Sequence, residues 1–80
     1  MGKRPDKEFV EILCVEMRSN LGFCLDRDRN DRITKVWVNS CRSGWSEIAI
    51  LSRVARAKQR ALANWRGTGI SHDVSDLEVH

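Results

Sequence analysis

The chain has 80 residues, 9.2 kDa and a formal net charge of +3. Chains this short bury only about 60% of the surface they expose when unfolded, which excludes a second domain. Hydrophobic residues at 41% and charged residues at 31% exclude a disordered tract, which is poorer in Val, Ile, Leu and Phe. No apolar run approaches the roughly 18 residues that span a bilayer, and no apolar stretch follows Met1-Gly2-Lys3-Arg4-Pro5-Asp6. Neither membrane insertion nor secretion is expected.

In chain order, residues 1–8 read as a flexible basic N-terminus, residues 9–67 as a single α+β domain and residues 68–80 as an acidic flexible tail. The stretch Phe9 to Met17 suits two structures. Its β-branched content favours a strand, while Phe9, Leu13 and Met17 at i, i+4 and i+8 suit a helix that ends near Gly22. Gly22–Leu25 and Arg32–Val38 read as two strands around the turn Asp28-Arg29-Asn30-Asp31. In the second, Ile33, Lys35 and Trp37 face one way, and Thr34, Val36 and Val38 the other.

Trp45 to Trp65 predicts a long amphipathic helix with Leu51, Val54, Ala55, Leu62 and Trp65 on its apolar side and Ile48 at the margin. Ser43 or Ser46 would cap its start, and Arg66-Gly67 would supply a cation and a left-handed stop at its end. The stem of Lys58 would lie along the core with its ammonium in water. The favoured architecture is a three-stranded antiparallel meander followed by this helix packed on it. A helix at residues 9–17 would give α-β-β-α instead. Both are α+β.

Cys14, Cys24 and Cys41 are odd in number and lack the spacing of a disulfide framework, so they read as buried small hydrophobes in a reducing, cytoplasmic setting. Zinc needs close pairs of ligands, and His72 and His80 stand far from the cysteines. Asp26-Arg27-Asp28-Arg29-Asn30-Asp31 matches the opening of a calcium loop. Its sixth position is Asp31 where the sharp turn wants Gly, and its twelfth is Trp37 where a bidentate Glu is needed. It reads as a solvated turn with local Asp–Arg pairs. Ser71-His72-Asp73 has the residue types of a hydrolase triad, but triad groups converge from separate parts of a fold. No phosphate-cradling loop is present, so neither enzyme activity nor a cofactor is expected.

The remaining signal is the placement of arginine. Residues 9–41 balance acid against base. Residues 42–66 carry Arg42, Arg53, Arg56, Lys58, Arg60 and Arg66 against Glu47 alone, and the tail carries Asp73, Asp76 and Glu78 with no Lys or Arg. Arg53, Arg56 and Arg60 at i, i+3 and i+7 set three guanidiniums along about 10 Å of helix, comparable with duplex phosphate spacing, with Asn64 extending the row. Such a row suits phosphate oxygens. A solvated charged face accounts for it nearly as well. The expectation is a small non-enzymatic protein that binds nucleic-acid backbone through Arg42, Arg53, Arg56, Arg60 and Arg66. The alternative is a small inhibitor or adaptor that docks on an acidic or apolar surface of a larger host protein.

Arg18-Ser19-Asn20-Leu21-Gly22-Phe23-Cys24-Leu25-Asp26-Arg27-Asp28, followed by a further strand and a helix, resembles the amino-terminal arm-binding domains of phage-type tyrosine integrases. That resemblance implies a three-stranded sheet in the DNA major groove with a helix behind it. Arg18, Arg27, Arg29 and Lys35 would then face DNA, and the helix would buttress the sheet.

Overall fold

The computed structural model describes residues 4–38 and 44–80. Helix α1 spans Lys7–Val15 and widens into a π-helical turn over Glu16–Asn20. Strands β1 (Phe23–Arg27) and β2 (Ile33–Val38) follow, then helix α2 (Glu47–Asn64) and the short strand β3 (Glu78–Val79). The class is α+β, with a three-stranded mixed sheet in the order β1-β2-β3.

The segment favoured as a strand over Phe9–Met17 is helical. Asp6 sets its start, because its carboxylate accepts from the amides of Glu8 at 2.8 Å and Phe9 at 3.3 Å. From there the i, i+4 rows Phe9–Leu13–Met17 and Val10–Cys14 give one continuous apolar stripe, and all five side chains are buried. Gly22, with φ of 67°, stops the helix through its amide, which donates to the Arg18 carbonyl.

Asp28 organises the predicted turn by accepting from the amides of Asn30 and Arg32 at 2.8 and 3.0 Å. β1 and β2 pair antiparallel with a bulge: Asp26 faces Lys35 and Arg27 faces Ile33, leaving Thr34 without a partner. The expected alternation therefore fails. Ile33 and Val36, three residues apart, both point into the core, while Trp37 sits half-buried on the outer face of the sheet with Lys35 Nζ 5.5 Å from its ring centroid.

The expected meander is corrected at the third strand. β3 lies beyond α2 and pairs parallel to β2, with Lys35 opposite Glu78 and Val36 opposite Val79. Parallel neighbours need a long crossover, and α2 is that crossover. Residues 68–80 accordingly do not trail away. His72, Val74 and Leu77 are buried, and the His80 amide donates to the Val36 carbonyl at 3.1 Å. At the other end, Pro5 is buried and bridges Ile70, whose carbonyl accepts from the Asp6 amide at 2.6 Å.

Helix α2 starts where expected, with Ser46 Oγ accepting from the Ala49 amide at 3.1 Å; the alternative cap Ser43 lies outside the described residues. Its orientation differs from expectation. The buried residues are Ile50, Val54, Ala57 and Ala61, a stripe turned by about 110° from the Leu51–Ala55–Leu62 side at 100° per residue. Leu51 and Leu62 are only half-buried, and Ile48 is 77% exposed. Small residues allow close approach to α1, so Ala57 and Ala61 outrank the larger leucines. At the far end the chain leaves the helix at Trp65 in an extended conformation, φ −83° and ψ 133°. Gly67 thus makes no left-handed stop.

Candidate anion-binding interface

Trp45 precedes the Ser46 cap and is held on two sides. Phe23, at the start of β1, meets it edge-on with ring centroids 6.1 Å apart, and the Arg53 guanidinium stacks 4.0 Å from its centroid. Arg53 also donates to the Ala49 carbonyl at 3.0 Å. The stacked, bonded guanidinium has little rotamer freedom left to lose.

One turn on, Arg56 is exposed and makes no ion pair among the described residues. Arg60 stands 3.9 Å from Glu16, whose carboxylate also accepts from Asn20 at 2.7 Å. At that distance and exposure the Arg60 pair is worth under about 1 kcal/mol. The three arginines therefore share one rim of α2, anchored at Arg53, open at Arg56 and loosely tethered at Arg60. Asn64 ends the row close to Val15 and Glu16 of the first helix.

The other expected members stand apart. Arg66 donates to the Ala63 carbonyl at 3.2 Å and so serves the frayed carbonyls of the helix end. Arg42 lies outside the described residues. The acidic segment does not cover the row: Asp73, Val74 and Ser75 lie along Leu51, Ala55, Lys58 and Gln59 on the other flank of α2.

The cations implied by the integrase resemblance do not assemble on one sheet face. Arg27 turns to the helical side, bonding Glu11 at 2.8 Å and Asp31 at 3.0 Å, and holds the Glu11 carboxyl below its usual range. Arg18 sits on the π turn and Arg29 in the hairpin turn. Lys35 is on the outer face, paired across the strands with Asp26 and Glu78.

No metal centre is assembled, since no group of three or more His, Cys, Asp and Glu is placed to hold an ion among the described residues. The Asp28 oxygen of the calcium-like stretch is already used by turn amides, which hold its carboxyl below the usual value. Ser71, His72 and Asp73 do not form a relay; the His72 ring turns to the Ile33 backbone. Arg32, Ile33, Thr34, His72, Asp73, Asp76 and Leu77 line a surface cavity of about 440 Å³. Among the described residues no helix is long and apolar enough to cross a membrane. Cys14 is buried as expected, Cys24 is exposed, and Cys41 lies outside the described residues.

The Trp45–Arg53 stack escaped the sequence reading, although it left a local trace. Trp45 and Ile50 flank the cap at the positions of a hydrophobic staple, which fixes a residue before the cap against the helix's own side. Comparison of the chain with protein-family models, curated proteins and solved structures found no match.

Proposed function

We propose that the chain is a small, non-enzymatic binding protein that engages nucleic-acid backbone through Arg53, Arg56 and Arg60, with Arg66 and Arg42 near the two ends of α2. The observation that carries this reading is the Arg53 guanidinium stacked on Trp45 at the head of a row whose next member, Arg56, is exposed. A row fixed before binding loses less entropy on binding than three mobile side chains. Contacts of this type give affinity without sequence preference. We place the protein in a reducing, cytoplasmic setting, a reading supported by the free thiols of Cys14 and Cys24.

The test is binding of labelled duplex and single-stranded DNA at about 50 and 200 mM salt; three neutralised duplex phosphates give a log–log slope near about −2.7. Arg56→Glu should weaken binding and reduce the slope by about 0.9 without lowering the melting temperature, because its side chain is exposed. Unchanged affinity in that variant would overturn the assignment.

A second reading is a protein-interaction module, an inhibitor or adaptor docking on a larger protein with an acidic surface. Ile48, 77% exposed beside the half-buried Leu51, favours it. No binding to either DNA form at the lower salt would select this reading.

A further inference from the structure

His72 is 3% exposed and lies between its own segment and the first residue of β2. Its Nε2 stands 2.9 Å from the Ile33 carbonyl oxygen and 3.2 Å from the Ile33 amide nitrogen, so the ring meets a donor and an acceptor of the same residue. Its Nδ1 is buried with no hydrogen-bond partner among the described residues. As a neutral ring, His72 serves one Ile33 group at a time through Nε2, donating to the carbonyl in one tautomer or accepting from the amide in the other. As a cation it has two N–H donors. Nε2–H keeps the Ile33 carbonyl and can no longer accept from the amide, as one neutral tautomer does, and Nδ1–H carries positive charge into a buried site with no partner for it among the described residues.

The charged neighbours do not rescue the cation. Arg32 from the hairpin and Lys58 from α2 oppose it; Asp73 on its own segment favours it. Asp28 in the hairpin turn feels the ring's charge but spends its oxygen on the turn amides, and Asp76 lines the same cavity. Burial, the largest influence, sets the net direction and holds the ring below its ordinary value of 6.5.

What His72 fastens is a strap. Ile70 is held separately by Pro5 and Asp6, whereas everything beyond it, Val74, Leu77, β3 and the His80 amide on Val36, is tied to the body by contacts that follow His72. One residue, Ser71, separates the fixed point from the ring.

We propose that His72 is an acid-sensitive latch: its protonation releases residues 71–80 from β2 and α2 while α1, β1, β2 and α2 stay folded. Release strips β3 from β2, leaving that edge open to another strand, and uncovers the Leu51–Lys58 flank of α2. The sign follows from the buried neutral ring. Docking is at full strength above the unfolded ring's value near 6.5 and weakens as the pH falls below it. The other histidine, His80, lies at the far end of the strap, 2.7 Å from Glu78.

The test is amide exchange of the full chain, expressed as protection factors, at about pH 7.5 and about pH 5.5, with the His72 imidazole followed by NMR in the same samples. Protection at Val74, Leu77 and Val79 should fall about tenfold for each unit of pH from the ring's ordinary value down towards its lowered one, while Val10 and Leu13 hold theirs. His72→Phe should abolish the pH dependence. Constant protection over residues 71–80 between the two pH values would overturn the latch, as would an equal loss at Val10 and Leu13. If His72→Phe does not fold, the selective loss of protection over residues 71–80 in the natural chain decides the matter by itself.

Discussion

Asp6 and Gly69 occupy adjoining space: a Cβ on residue 69 would lie 2.7 Å from Asp6 Oδ2 and 2.9 Å from Asp6 Cβ. The same carboxylate caps α1 through Oδ1, so the glycine is bare because the cap of another element stands against it. Gly69→Ala should displace Asp6 and cost about 1–2 kcal/mol, read as a lowered denaturant midpoint. Asp6→Ala should cost a similar amount through the lost cap. A Gly69→Ala midpoint equal to that of the natural chain would show that the two segments separate at no cost.

The orientation of α2 is open to a paired test. Ile50→Ala removes a buried core side chain and should cost about 2–5 kcal/mol. Leu51→Ala, one residue on, should cost about 1 kcal/mol or less because its side chain is only half-buried. The reverse order would restore the Leu51 face expected from hydrophobic spacing.

Arg27 joins α1 to the hairpin through Glu11 and Asp31. Its hydrogen bond and charge hold the Glu11 carboxyl below 4.5, so the stability from this pair is present above that value and is lost as pH falls through the lowered one. Arg27→Gln should lower the denaturant midpoint near about pH 7, and the gap from the natural chain should narrow near about pH 3. A gap that stays constant would assign the loss to packing of the arginine stem.

The cysteines should differ in reactivity. Burial raises the Cys14 thiol above its usual value and keeps reagent from it, while Cys24 is exposed on β1. Mass mapping after brief alkylation of the native chain should find Cys24 modified well before Cys14. Equal rates would show that α1 opens as readily as the strand surface.

Much of this architecture is written locally, and its departures from expectation have identifiable physical origins. The Asp28 turn, the hairpin and the Ser46 start of α2 depend on neighbours within four residues, which is why spacing alone finds them. The first segment balances β-branched residues against i, i+4 spacing, and the Asp6 cap tips it to helix. The face of α2 is misjudged because Leu51 and Leu62 outweigh Ala57 and Ala61 on any hydrophobic scale, whereas packing against α1 rewards small side chains. Residues 71–80 look polar because their apolar members are sparse; they dock through His72 on Ile33, a contact across thirty-nine positions. At the candidate interface, the row Arg53–Arg56–Arg60 is legible from periodicity alone, while the tether at Glu16 depends on how α1 and α2 meet.

The bulge in β2 gives Thr34 an unusual standing. Its hydroxyl makes only a long 3.4 Å contact with the Asp26 carbonyl, so its side chain is nearly dispensable. Deleting the residue would leave Ile33 and Val36 two positions apart, a spacing that regular alternation keeps on one face, so the ladder would close without the bulge and both would stay in the core. At this position the strand holds one residue more than alternation needs, so drift by substitution and drift by loss are both open to it.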